Sequence, residues 1–411
     1  MNHNKYSHRI GSTKIKLVSK DRQPIVNTEI KIEQTKHEFL FGCSEFSCIN
    51  FVNGDISKDE IGIYEDRYKK FTNIFNYATL PFYWGRFEPQ KGHPIIQQTK
   101  KAAQFFIEKG LKIKGHPLCW HTVTAPWLLE MSNEEIMKTQ LERIKRDVTE
   151  FSGIIDIWDV INEVVIMPIF NKYDNGITRI CNEYGRIGLI RKVFNEAREA
   201  NPTATLLLND FETSESYDIL IEGCLEAGIK IDAIGIQSHM HQGYWGVEKT
   251  QEILSRFGRF KLPIHFTENT IVSGHIMPPE IVDLNDYVVD SWPTTEEGET
   301  RQAAEVALHY KTLFENPLVQ SITWWDFVDG SWLGAPGGLL RKDGSIKPAY
   351  IELEKLIKQD WWTGETVLYT DQNGIVDVNG YLGEYSLACG SEKTKFLLEK
   401  SKEELTICIK M

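Results

Sequence analysis

No stretch of the 411-residue chain stays apolar for the length of a bilayer span, so a transmembrane helix and a membrane partner are not expected. The opening Met1-Asn2-His3-Asn4-Lys5-Tyr6 lacks the apolar centre of a leader peptide, which reads as a cytoplasmic protein, or a secreted one whose leader was removed. Basic charge is also short: 46 Lys and Arg face 58 Asp and Glu, a formal net charge of -12. That balance argues against nucleic acid or an anionic membrane surface as the main partner. The seven cysteines (43, 48, 119, 181, 224, 389 and 408) are odd in number and have no metal-type spacing, so free thiols in a reducing compartment are expected. Neither GxGxxG nor GxxxxGK[ST] occurs beside a strand, and no nucleotide cofactor is implied. Internal repeats and low-complexity segments are absent too.

What the chain does have is enough apolar residue, 41%, for one large core and a smaller accessory one. In residues 1–36, Lys14–Val18 and Glu29–Ile32 alternate around the polar Asp21-Arg22-Gln23-Pro24, the mark of two strands. From residue 37 short apolar runs recur at Phe39–Cys43, Tyr77–Tyr83, Leu111–His116, Ile154–Ile161, Thr205–Leu208, Ala233–Gln237, Pro263–Thr267 and Ser321–Trp325. Helix-period stretches fill the gaps: Asp59–Phe71, Gln97–Lys109, Ser132–Phe151, Arg179–Ala200, Ser216–Ala227, Lys249–Phe257 and Thr295–Phe314. Ser132 with Glu135 forms a capping-box pattern, and Gly110 and Gly228 stand where helices hand over to strands. Eight β/α units in series predict an α/β fold of the (β/α)8 TIM-barrel type over residues 37–360, with a doubly wound open sheet as the alternative. From Trp361 short strands separated by Gln372-Asn373-Gly374 and Asn379-Gly380 turns return. The expectation is a small accessory β-sandwich in which residues 1–36 pack with residues 361–411.

In a barrel of this kind, polar residues at the C-terminal ends of strands face the active site. The apolar run Ile157–Ile161 ends in Asn162-Glu163, and Pro263–Thr267 ends in Glu268. Two strand-end carboxyls meet the need of glycosidic-bond cleavage, where one protonated acid aids the leaving oxygen and one ionised partner attacks or activates water. Trp84, Trp120, Trp127, Trp324, Trp325 and Trp332 offer aromatic faces of the kind that sugar C–H surfaces favour. His116, His121, Asn209, Asp210, Gln237 and His239 lie at other strand ends, where they can bind hydroxyls and tune the carboxyls. Alternation turns Trp324 away from Trp325; Trp324 and Trp127 are expected to be structural, and His265 to pack behind the barrel. The acidic run Asp283–Glu299 reads as a solvated loop and helix start.

Taken together, Trp158–Glu163 (WDVINE), Gly115–His121 (GHPLCWH), Ile236–His239 (IQSH), Phe266–Glu268 (FTE) and Ile322–Asp329 (ITWWDFVD) resemble glycoside hydrolase family 10 over roughly residues 37–358. That is the β-1,4-xylanase family of retaining (β/α)8 enzymes. The resemblance implies Glu163 as acid/base and Glu268 as nucleophile, with no metal or cofactor and a carbohydrate substrate. It places Asn162 on the 2-hydroxyl of the reacting sugar, Gln237 and His239 beside the nucleophile, and His116 and Trp120 on the sugar at the non-reducing side of the cut. Trp325 and Trp332 would wall that sugar, and His121, Asn209 and Asp210 would support. Family members carry Glu-Asn-x-x-Lys-Trp where this chain has Thr79-Leu80-Pro81-Phe82-Tyr83-Trp84. The polar grip on the second sugar is therefore missing. Stacking by Phe82 and Tyr83, with Trp84, is expected in its place, and Arg86 is a candidate substitute for the lost lysine. Xylan or xylo-oligosaccharide is the expected substrate, another β-glycoside or aglycone conjugate the alternative. Two rival classes are a zinc hydrolase built on His239-x-His241 with His116, His121 and Asp210, and a barrel that binds glycans without cutting them.

Overall fold

The computed structural model describes residues 5–400 and 404–409. Fifteen strands are found among them. The first two, β1 (Ile10–Val18) and β2 (Glu29–His37), precede the barrel. Its eight staves are β3 (Leu40–Ser44), β4 (Tyr77–Pro81), β5 (Lys112–His116), β6 (Ile157–Asn162), β7 (Thr205–Asp210), β8 (Ala233–Met240), β9 (Ile264–Ile271) and β10 (Val319–Trp324). They close in the order β10-β3-β4-β5-β6-β7-β8-β9, each parallel to its neighbours. After them come β11 (Thr366–Tyr369), β12 (Ile375–Tyr381), β13 (Gly383–Cys389), β14 (Glu392–Leu398) and β15 (Glu404–Cys408).

Helices follow every stave, and the local signals for them act as expected. The Ser132 side chain accepts from the Glu135 backbone N–H while Glu135 reaches back to Ser132, closing the capping box of the helix Asn133–Glu150. Gly110 (φ 83°) and Gly228 (φ 76°) take the left-handed conformation just past helix ends, where a Cβ would cost energy. Elsewhere the boundaries move. The stretch Arg179–Ala200 is two helices, Gly176–Tyr184 and Arg186–Ala200, divided at Gly185 (φ 70°). β9 runs four residues beyond the expected Thr267. Glu268, Asn269 and Thr270 are buried there because neighbouring strands satisfy them; the Asn269 amide donates to the Thr323 carbonyl and accepts from Ser238.

The terminal strands build two sheets of order β12-β1-β15 and β11-β2-β13-β14. β1 pairs antiparallel with β12 and parallel with β15, and β2 pairs antiparallel with β11 and β13. Alternate residues of both sheets (Ile15, Leu17, Ile30, Ile32, Val378, Tyr385, Leu387 and Leu398 among them) share one buried core, so the accessory unit is a sandwich. Each such side chain contributes about 1.5–3 kcal/mol on burial, which lets a small unit hold together without cross-links. This compact unit comprises residues up to Leu40, Leu313–Pro317 and Ile351 onward; the barrel unit comprises Phe41–Thr312 and Leu318–Tyr350.

Candidate active site

Five of the eight staves deliver the polar cluster at the barrel mouth. β6 ends in Asn162, and Glu163 follows it with φ 55°. A non-glycine residue pays about 1–3 kcal/mol to hold such a conformation, and here its own backbone N–H is fixed to the Asn209 carbonyl at 2.9 Å. The turn beyond is fastened as well. Arg186 donates to the carbonyls of Val164 and Val165, and the Val165 N–H donates to Asp210 Oδ2 at 3.0 Å. Asp210 is thus a brace for the Glu163 turn, and burial pushes its carboxyl up to about 7.

The two glutamates are joined by a chain of amides. Trp120 Nε1 donates to Glu163 Oε2 at 2.8 Å, and Gln237 Nε2 donates to Glu163 Oε1 at 3.2 Å and to Asn162 Oδ1 at 3.0 Å. Asn209 Nδ2 donates to the same Asn162 oxygen at 2.7 Å and to Glu268 Oε1 at 2.9 Å, while Thr267 holds the Asn209 oxygen at 2.6 Å. Because Asn162 Oδ1 accepts from both sides, its amide orientation is fixed. Asn162 Nδ2 is left buried without a partner, a donor ready for a hydroxyl.

His239 stands between Thr270, at 3.2 Å from its Nδ1, and Glu268 Oε2, at 3.1 Å from its Nε2. His116 Nδ1 lies 2.7 Å from Asp159 Oδ2 and 3.9 Å from Glu268 Oε1, and Lys114 Nζ pairs with the same Asp159 oxygen at 2.7 Å. Aromatic rings border these groups. Trp332 lies 4.6 Å from the His239 ring, Trp325 5.3 Å from His116, and Tyr83 5.4 Å from Trp120.

Burial acts on both carboxyls, but the outcome differs. Glu163 is pushed up to about 8 by desolvation and then by the charge of Glu268, against the pull of Trp120 and Gln237. Desolvation also raises Glu268, yet His116, the His239 hydrogen bond and charge, and Lys114 together outweigh it and leave that carboxyl below its ordinary range. One group is held protonated near neutral pH and the other ionised, which is the division of labour that a paired acid and nucleophile require.

Several expectations need correction. Trp84 does not face the cleft. It is buried with its indole N–H on Glu88 at 3.2 Å, its ring against Trp127 and the Arg143 guanidinium 4.8 Å above it. Phe82 points away too, packed on Trp158, Phe87 and Phe151. Of that trio only Tyr83 borders the cleft, its ring against Trp120 and His116. His121 is buried against Phe170 with centroids 4.6 Å apart and bonds neither glutamate. His265 points into the barrel rather than behind it; burial and then the Lys114 charge pull it down to about 4. Arg86 is exposed, 6.0 Å from the Tyr83 ring centroid. Trp324 donates to the Gly337 carbonyl and Trp127 to that of Glu88, both structural. The acidic run is not simply solvated. Asp283 and Asp286 hold Lys172 at 2.7 and 2.5 Å, linking the loop after Glu268 to the loop after Glu163.

Sequence reasoning missed Asp159, Lys114 and Thr267. The signal was present, since Lys114 and His116 sit two apart on one strand, as do His265 and Thr267. Charged residues inside apolar strands must find partners, and these found each other. Among the described residues, no group of three or more His, Cys, Asp or Glu side chains is arranged to hold a metal ion. No helix among them is long and apolar enough to cross a membrane.

The family model described as Glycosyl hydrolase family 10 matches residues 67–355. Endo-1,4-beta-xylanase B of Thermotoga neapolitana is 28% identical over 300 residues, covering 67% of this chain and 78% of that protein. An endo-1,4-beta-xylanase/feruloyl esterase of Xylanibacter ruminicola is 26% identical over 66% of this chain; the match spans only 40% of that longer relative. Among solved structures, xylanase 10B of Thermotoga petrophila in complex with xylobiose superposes with a TM-score of 0.64 at 22% identity, over 79% of this chain and 95% of that one. At that identity the likeness speaks for the barrel fold.

Proposed function

Because the chain belongs to glycosyl hydrolase family 10, we propose that it hydrolyses β-1,4-xylosidic bonds of xylan or xylo-oligosaccharides by double displacement, with Glu163 as acid/base and Glu268 as nucleophile. The observation that carries this reading is the opposed tuning of the two carboxyls, Glu163 raised to about 8 and Glu268 lowered, within one hydrogen-bonded network.

In the first step an oxygen of Glu268 attacks the anomeric carbon while Glu163 passes its proton to the departing glycosidic oxygen. Asn209 and His239 each hold one Glu268 oxygen, which aims the carboxylate and keeps it from swinging. The free Asn162 Nδ2 meets the sugar 2-hydroxyl, a contact that strengthens as positive charge develops at the anomeric carbon. Once Glu268 is esterified its negative charge is gone. The repulsion that helped raise Glu163 goes with it, so Glu163 becomes a better carboxylate at the moment it must take a proton from water. Water then displaces Glu268 and the anomeric configuration is retained.

The test is hydrolysis of xylo-oligosaccharides followed by proton NMR, with soluble xylan and a panel of aryl β-glycosides in parallel. The expected first product is the β-anomer. An α-anomer as first product would overturn the double displacement. Activity on aryl glucosides with silence on every xyloside would overturn the substrate.

A further inference from the structure

One half of the barrel mouth is closed by aromatic rings. Phe46 follows β3, Tyr83 follows β4, His116 ends β5 and Trp325 follows β10, which are neighbouring staves. Their rings meet edge to face in a closed circuit. Phe46 and Tyr83 are 5.7 Å apart at 84°, Tyr83 and His116 5.7 Å at 85°, His116 and Trp325 5.3 Å at 78°, and Trp325 and Phe46 5.6 Å at 89°. A sugar ring held between two aromatic faces needs them about 7–8 Å apart, twice the carbon–carbon contact distance. No pair in this circuit leaves such a slot, because each ring meets its neighbours edge to face at 5.3–5.7 Å.

The circuit is built rather than incidental. The Ser44 hydroxyl donates to the Trp325 carbonyl, and the buried Glu45 accepts from Ser47 with Arg67 at 3.9 Å, which pins the turn that presents Phe46. It also has a defined position relative to the chemistry. His116 lies 3.9 Å from Glu268, and Trp325 touches both His116 and His239, the two imidazoles around that carboxyl. The sugar attacked by Glu268 sits over this carboxyl and against His116 and Trp325, so Phe46 and Tyr83, the rings packed on those two, stand where the next sugar on that side would go. The leaving portion departs past Glu163, the group that protonates its oxygen.

We propose that the Glu268 side of the cleft accepts a single sugar ring, so that the enzyme removes terminal residues from the non-reducing end instead of cutting within a chain. Phe46 and Tyr83 are the residues that set this limit. The proposal rests on the glycosidase reading above. It adds what that reading leaves open, the number of sugars bound on the side of the attacked carbon.

The test compares 4-nitrophenyl β-xyloside with 4-nitrophenyl β-xylobioside. With room for one sugar, the xyloside releases nitrophenol at once. The xylobioside first loses its terminal xylose, and nitrophenol follows after a lag. Phe46→Ala or Tyr83→Ala is expected to open the slot, so that nitrophenol and xylobiose appear together without the lag. Immediate xylobiose from the wild-type protein, with kcat/KM tenfold or more above that of the xyloside, would overturn the proposal. If neither compound is turned over, the glycosidase reading fails, and binding decides the pocket separately. Phe46→Ala should then raise the affinity for methyl β-xylobioside relative to methyl β-xyloside above the ratio shown by the wild type. An unchanged ratio in Phe46→Ala would overturn it.

Discussion

Around Glu163 the donors are neutral, one indole N–H and one carboxamide, and the strongest charge acting on it is another carboxylate, Glu268. Around Glu268 the donors are an amide and a histidine, with a second histidine and Lys114 close behind. The two residues are chemically identical, and one barrel presents both, Glu163 just past β6 and Glu268 within β9. What separates an acid from a nucleophile is therefore the charge that neighbouring staves bring to each, not the glutamate itself.

The most direct way to break this contrast is to remove the ionised member. Glu268→Gln is expected to lower kcat by about 10^4-fold or more, with the circular dichroism spectrum unchanged. Retained activity would mean that the attacking group lies elsewhere. Glu163→Gln should cost less, about 10²–10⁴-fold on xylo-oligosaccharides, and less again on a nitrophenyl glycoside whose leaving group needs no proton. Equal losses on both substrates would deny Glu163 the role of acid.

Weakening one neighbour sharpens the contrast further. His239→Leu removes the donor at 3.1 Å from Glu268, and a loss of about 10–10²-fold is expected. The wild-type pH profile should fall on the alkaline side near pH 8, where Glu163 ionises, and on the acid side below the ordinary glutamate range, where Glu268 takes up its proton. In His239→Leu the acid limb should move to higher pH while the alkaline limb stays. His239→Gln should recover part of the rate because it restores a donor. A rigid shift of both limbs would show a general structural effect.

The smallest expected effect is on stability. A carboxyl whose folded pKa lies above its unfolded value binds protons more tightly in the native state. Glu163 therefore contributes stability that is full below about pH 4.5 and is lost as pH rises toward about 8. At pH 8 and above, Glu163→Gln should accordingly gain on the order of 1 kcal/mol, a modest figure because the carboxyl faces an open cleft. The gain should vanish near pH 4. A gain independent of pH would locate its source in backbone relaxation at φ 55° instead.

Much of this was legible in the sequence because the barrel repeats a simple code. The eight staves and the place of Glu163 just past β6 follow from apolar runs broken by polar residues, whereas Glu268, expected at a strand end, lies inside β9. The ends of β8 and β9 were not legible, since Ser238, Asn269 and Thr270 look like loop residues until their cross-strand partners are known. Trp84 failed for a related reason. A tryptophan near a strand end has two faces to choose from, and only the buried Arg143 reveals which one it took. Lys114 and Asp159 were overlooked because a pair separated by 45 positions becomes a pair only when β5 and β6 lie side by side.

The pairing of the accessory sheets has a consequence for synthesis on the ribosome. β1 finds its partners in β12 and β15, and β2 in β11 and β13, all beyond residue 365. At about 5–20 residues per second, tens of seconds pass between the emergence of β2 and that of its first partner. For that interval two amphipathic strands wait with open edges while the whole barrel is translated. Such edges invite pairing with other chains. The alternating charges on their outer faces (Lys14 and Lys16 on β1, Glu29, Lys31 and Glu33 on β2) are the guard the nascent chain carries until its last strands arrive.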